Sequence, residues 1–160
     1  TYELFSKAEN ILTMEDPVAQ TIAQHLADSL IVLKRYKEAS IYFRKCYEAR
    51  KKMIGSDESY TLVVQYGLAF SLAQCKSFKE AYHLFQDLVS RFDEHPDFGP
   101  EHPKTISTVR SYLDVCRISG DKNSVEALLR RLHKFYADKH GHEDEKTLAV
   151  VADLAKSYVA

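Results

Sequence analysis

Four of the seven histidines crowd two short polar stretches, His95 and His102 in HPDFGPEHP and His140 and His142 in HGHED. Histidine beside carboxylates can bind a metal, so zinc is the first chemistry to weigh. Zinc needs ligands that converge tetrahedrally, as Cys/His sets or a helical H-E-x-x-H supply. Neither spacing occurs, and both stretches fall where the chain needs polar connectors. No metal or other cofactor is expected. His25, His83 and His133 fall within helical patterns and read as structural. The cysteines raise thiol chemistry. Cys46 and Cys116 lie on apolar stripes, where a small hydrophobic residue belongs, and Cys75 ends a helical stretch. A reactive thiolate needs an adjacent base or an electropositive pocket, and none is legible beside them. Glu15-Asp16 and Glu143-Asp144 each precede a helix start, where negative charge suits the positive end of the helix dipole. There is no Gly-rich phosphate loop and no G-x-S-x-G. The sequence predicts no enzyme.

Composition narrows the classes further. The chain has 160 residues, 45% hydrophobic and 28% charged, with a formal charge of −1. That suits one ordinary domain. Arg44-Lys45 with Arg50-Lys51-Lys52, and Arg130-Arg131 with Lys134, read as solvated helix faces. With a net charge near zero, nucleic acid is not expected as a partner. No apolar run approaches the ~20 residues of a membrane span, so no membrane partner is expected either. Three cysteines without a C-x-x-C point to a reducing, cytoplasmic setting. The Thr at position 1 and the lack of a secretory apolar region suggest a segment of a longer protein.

The elements that carry these residues repeat. KRYKEASIYFRKCYEAR from Lys34, KSFKEAYHLFQDLVSRF from Lys76 and GDKNSVEALLRRLHKFY from Gly120 align with Ala39, Ala81 and Val125 in register, 42 and 44 residues apart. Stretches from Ala19, Thr61, Thr105 and Thr147 align as well, 42, 44 and 42 apart. Gly55, Gly99 and Gly141 recur with them, and the two-residue drift falls just before Gly99. A fixed period of this length is the mark of a repeat architecture. Each unit reads as two helices. In the first, Leu26, Ala27 and Leu30 recur as Leu68, Ala69 and Leu72, as Tyr112, Leu113 and Cys116, and as Leu154, Ala155 and Tyr158. In the second, Ala39, Tyr42, Phe43 and Cys46 recur as Ala81, Leu84, Phe85 and Leu88, and as Val125, Leu128, Leu129 and Leu132. Offsets of three and four place each set on one helical stripe. Alternation of small and large residues suits close helix crossing.

Local signals set the boundaries. Asp16-Pro17 and His102-Pro103 place Pro at the first helical position. Asp57 and Asp144 stand at the equivalent cap points, and Gly55, Gly99 and Gly141 suit left-handed stops. Turns within repeats fall at Lys34-Arg35, Lys76-Ser77 and Gly120-Asp121. The pattern predicts helices over about 17–34, 37–53, 59–76, 79–93, 103–119, 122–139 and 145–159. The organisation is a partial repeat at 1–15, whose residues 2–13 are the end of a second helix, then repeats at about 16–57, 58–101 and 102–144, and a partial repeat at 145–160.

This two-helix unit, with Gly-x-[DE] and His-Pro-Lys-Thr at 102–105, resembles the tetratricopeptide repeat (TPR) in its kinesin-light-chain-like form of ~42 residues. The resemblance covers nearly the whole chain. It implies an all-α, right-handed superhelical solenoid of antiparallel helix pairs, with first helices lining a concave face and second helices forming an outer wall. Stacking is obligatory in such a chain, since no single repeat buries its own apolar face. The implied function is a protein-interaction module that holds a partner peptide or protein segment in the groove. The family pairs two Asn in the first helix. Here those positions read Gln24-His25, Tyr66-Gly67, Arg110-Ser111 and Ala152-Asp153.

Carried over from the family, the groove falls at offsets two, five, nine, twelve and thirteen from each repeat start, which adds Thr21 and Val63 to the residues that follow. Tyr66 and Phe70, four apart, would form an apolar platform. Arg110, Arg117 and Lys156 would contact an anion, since Arg holds carboxylate or phosphate by two parallel hydrogen bonds. Gln24 and Gln74 would bond a peptide backbone. Asp28 and Asp114 complete the implied peptide-binding set and cut against a purely basic groove. In the alternative, Tyr66 and Phe70 simply pack between repeats and the arginines form a solvated face. Two further alternatives stand beside groove binding. One is a structural spacer or self-association element, in which the solenoid ends stack on neighbouring repeats or on another copy. The other is a sensor or substrate-recruiting arm of a larger enzyme or signalling protein.

Overall fold

Seven helices follow one another among the described residues, 14–159 of the computed structural model. They are α1 (Pro17–Val32), α2 (Tyr36–Met53), α3 (Ser59–Gln74), α4 (Phe78–Glu94), α5 (Pro103–Ser119), α6 (Lys122–His140) and α7 (Glu145–Val159). No strand occurs among those residues. The expected helix at 2–13 lies outside them, and so does the Tyr158 side chain. The chain divides into two compact units between Arg91 and Phe92, inside α4.

Helix ends follow from local chemistry. The Asp16 carboxylate accepts from the Val18 N–H at 2.7 Å, with Pro17 in the first turn. Asp144 does the same for Lys146 at 2.9 Å. Asp57 does not cap α3. Its carboxylate takes the Arg91 guanidinium at 2.9 Å, and Glu58 stands at the cap position with no side-chain bond. His102 caps α5, its Nδ1 accepting from the Lys104 N–H at 3.0 Å. α1 and α3 stop two residues short of their expected ends because Lys34 (φ 57°) and Lys76 (φ 64°) turn left-handed. Gly120 (φ 71°) makes the same turn after α5, where no Cβ opposes it.

In the first unit α1 packs on α2 and α2 on α3, as consecutive antiparallel neighbours. The buried stripes are those of the repeat pattern: Leu26, Ala27 and Leu30 in α1, Ala39, Phe43 and Cys46 in α2, Leu68, Ala69 and Leu72 in α3. The closest approach is at Gly67. A Cβ built there would stand 2.5–2.8 Å from three atoms of the buried Phe43 ring, so the ring fills the space a side chain would take. α4 joins α3 through Gln65, whose amide donates to Asp87 at 2.7 Å, while the Arg91 Nε holds the same carboxylate at 2.9 Å. Buried Arg50 of α2 donates to the Gln24 side chain of α1 at 2.8 Å and to the Tyr60 carbonyl of α3 at 3.0 Å.

In the second unit α5 packs on α6 and α6 on α7. Val109, Leu113 and Cys116 face inward from α5, and Val125, Leu128, Leu129 and Leu132 from α6. The longer connector before α5 is not loose. Phe98 packs against buried Phe92 with the rings tilted and 4.5 Å apart, and is flanked by the His95 and His102 rings at 5.1 and 5.0 Å. Arg131 of α6 grips Asp93 through both guanidinium nitrogens and reaches the Pro100 carbonyl at 3.4 Å.

Candidate functional site

Several of the residues that could do chemistry make structural contacts. His95 and His102 use Nδ1 as acceptors for the N–H groups of Asp97 and Lys104, at 3.1 and 3.0 Å. Among the described residues no group of three or more His, Cys, Asp or Glu is placed to hold a metal ion. Cys46 and Cys116 are buried, and burial pushes each thiol up to about 11, which suppresses the nucleophilic thiolate. Cys46 donates weakly to the Gln20 carbonyl at 3.4 Å. No described helix is long and apolar enough to cross a membrane.

The expected peptide-binding residues fall in both units. In the first, Tyr66 and Phe70 lie on α3, half-buried, with rings stacked 6.2 Å apart. Tyr36 of α2 meets Phe70 edge-on at 6.3 Å, and Phe85 of α4 meets Tyr66 at 6.2 Å. The pair is thus an exposed rim on an aromatic cluster, fixed from both sides. Gln74 is exposed at the end of the same helix. Asp28 is exposed on α1. The Gln24 side-chain carbonyl accepts from Arg50 at 2.8 Å.

In the second unit a cleft of about 260 Å³ opens between α5 and α7 over α6. Arg110, Asp114 and Arg117 of α5 line it, as sequence offsets placed them on one face. The cations are not equal. Arg117 donates to Asp153 of α7 at 2.6 Å, and Lys156 reaches the same carboxylate at 3.3 Å. Asp114 stands 3.9 Å from Arg117. Hydrogen bonding from Arg117 holds the Asp153 carboxyl below the usual range, helped by Lys156. Two of the three expected anion contacts therefore already hold an anion of the chain itself. Arg110 has no ion-pair or hydrogen-bond partner among the described residues, and neither does the ammonium of Lys146, which lines the cleft from α7. Sequence reasoning missed Lys146 because it sits one residue before the repeat start, outside the offsets carried over. It missed Asp153 as a counter-ion because Arg117 and Asp153 are 36 residues apart.

The floor of the cleft is apolar: Leu129, Leu132 and Tyr136 from α6, Leu113 from α5, Ala149 and Val150 from α7. Chemically it can take an apolar side chain beside an anion. It offers no nucleophile with a base in reach, and its titratable lining groups are cations, carboxylates and one phenol.

No family model matches the chain, and no curated protein does. Solved structures do match. Two crystal structures of nearly identical TPR-like repeats, named for a kinesin light chain of Podosopora anserina, are each 20% identical to it. They superpose with TM-scores of 0.70 and 0.71 over 86% and 89% of this chain and 64% and 67% of theirs. The crystal structure of BtubC (BKLC) from P. vanneervenii is 14% identical, with a TM-score of 0.73 over 90% of this chain and 57% of its own. The chain spans between 57% and 67% of the length of these structures. It shares their fold: consecutive helix pairs of the TPR-like type.

Proposed function

We propose, with the TPR-like repeat fold as premise, that the chain is a non-catalytic protein-interaction module whose first-type helices hold a segment of a partner protein. The observation that carries this is the cleft between α5 and α7, open over an apolar floor and rimmed by cations. The stacked, half-buried Tyr66–Phe70 pair supports the same reading for α3 of the first unit, because rigid aromatic rings make good interface anchors. Helices fixed by packing lose little freedom when a partner arrives, so affinity is not spent on ordering the receptor. Three free cysteines support a reducing, cytoplasmic setting.

Capture from lysate on the immobilised chain tests it. Arg110→Glu with Arg117→Glu should abolish capture while far-ultraviolet circular dichroism stays unchanged. Undiminished capture removes the cationic rim from the reading.

A second reading, a stacking or self-association element, draws on α7. Leu148 and Val151 are 53% and 43% exposed, whereas their repeat equivalents Leu62, Gln65, Ile106 and Val109 are buried. A further second-type helix would cover them, with a gain of roughly 1 kcal/mol for each half-covered side chain. Light scattering across concentration separates the readings: a strict monomer that still captures a partner excludes self-association.

A further inference from the structure

We propose that the end of the first unit where α1 turns into α2 and α3 into α4 docks on an anionic lipid surface, with Val32 and Leu33 entering the headgroup layer and Lys34, Lys37, Lys76 and Lys79 meeting its negative charge. The two turns lie at the same end. Tyr36, at the start of α2, meets Phe70, in the last part of α3, at 6.3 Å between ring centroids, and Arg44 of α2 pairs with Glu80 of α4 at 2.6 Å. Val32 is 81% exposed, more than any other large apolar side chain among the described residues, and Leu33 beside it is 64% exposed. Both stand where the chain leaves α1, at the tip of a helix pair. Half-buried Phe78 lies in an open hollow with Lys76 and Lys79 at the second turn.

Charge around this tip is of one sign once its own ion pairs are counted. Glu38 accepts from Arg35 at 2.7 and 2.6 Å, and Glu80 accepts from Arg44 at 2.6 Å. The ammonium groups of Lys34, Lys37, Lys76 and Lys79, all exposed, have no partner among the described residues. Asp28 lies one helical turn back from Val32 along α1. The whole chain carries only −1, so this end is set apart by its charge. The backbone points the same way. Lys34 and Lys76 are left-handed, with φ of 57° and 64°, at the position where the next repeat has Gly120 at 71°. A side chain is disfavoured there and glycine is not, yet both turns of the first unit keep a lysine. A protein partner would have to supply a fitted pocket for two protruding apolar side chains. A headgroup layer yields to them and offers negative charge on every side. Neither signal suffices alone; together they give reversible surface binding that needs no spanning helix.

Sedimentation of the full chain with vesicles of phosphatidylcholine and phosphatidylserine, against phosphatidylcholine alone, tests this. The chain should bind the anionic vesicles and be released as salt rises. Val32→Ser with Leu33→Ser should weaken binding at least about tenfold, through the apolar surface no longer withdrawn from water. Lys34→Gly with Lys76→Gly should weaken it about twentyfold, near fivefold for each lysine. That variant should keep its helical circular dichroism, because glycine relieves both turns. Lys134→Gln with Lys139→Gln removes the same charge from α6 and should leave binding unchanged. Absence of binding to the anionic vesicles overturns the proposal. An equal loss from the α6 variant, or undiminished binding by the serine variant, overturns it as well. Binding of polyglutamate that the two glycines abolish, with none to vesicles, assigns the surface to an acidic protein instead.

Discussion

Replacing Gly67 by alanine measures how closely α2 and α3 are locked. In an exposed helix interior the change would stabilise by about 1 kcal/mol, because glycine has the larger backbone entropy to lose. At this position the new methyl would stand 2.5, 2.6 and 2.8 Å from three carbons of the Phe43 ring, where ordinary carbon contacts are about 3.5–4.0 Å. The ring must retreat by about 1 Å, yet Phe43 is only 1% exposed and has no open side. Overpacking of this kind costs about 1–3 kcal/mol. Set against the helix gain, Gly67→Ala should destabilise by up to about 2 kcal/mol. Phe43→Leu withdraws the ring and costs about 1–2 kcal/mol by itself. In that background the alanine has room and should be neutral or stabilising, a coupling of about 2 kcal/mol in favour of the double variant. Urea unfolding of the four proteins, followed by circular dichroism at constant m-value, closes the cycle. A Gly67→Ala protein more stable than its parent, or additivity within ~0.5 kcal/mol, would refute the reasoning.

Three other outcomes are expected. Lys76→Gly should stabilise the first unit by about 0.5–1 kcal/mol by relieving a left-handed residue, and Gly120→Lys should cost the second about 1 kcal/mol. A Cβ at Gly120 meets nothing within 4 Å, so that cost is purely conformational, and thermal midpoints will read it. Asp153 has a lowered folded pKa through Arg117. Its stabilising contribution is whole above about pH 4 and is lost as pH falls through the folded value. Asp153→Asn should remove that part of the acid sensitivity, visible as a smaller drop in urea midpoint as pH falls below about 4. Iodoacetamide at pH 7.5 should label half-exposed Cys75 first and reach Cys46 and Cys116, both pushed up to about 11, only after unfolding, as peptide mass spectrometry will show.

Helix count, stripes and turns were legible because they depend on residues three or four apart. Leu26, Ala27 and Leu30 or Leu128, Leu129 and Leu132 declare a buried face without help from the rest of the chain. Caps were half legible. Asp16 and Asp144 act as expected, but Asp57 is drawn off by Arg91, 34 residues away, and a histidine does the work at α5. A left-handed lysine carries no mark in sequence, so α1 and α3 read two residues too long. For the candidate residues, shared helix faces were legible. Tyr66 with Phe70, and Arg110 with Arg117, share helix faces as their spacing requires. Which charges are already satisfied depends on contacts between helices, and no spacing rule reports that Asp153 takes Arg117 and leaves Arg110 bare.

Arg50 binds the fate of three helices together. The residue is 7% exposed, and its guanidinium donates to the Gln24 side-chain carbonyl of α1 and the Tyr60 carbonyl of α3 while its own backbone belongs to α2. Should any of the three peel away, a positive charge would be stranded under cover with part of its coordination gone, a loss too large to be met one helix at a time. A chain assembled from stacked repeat modules invites piecemeal melting. Here a single cation makes the opening of the first unit a concerted event, and the amides of α1 inherit the protection of the deeper α3.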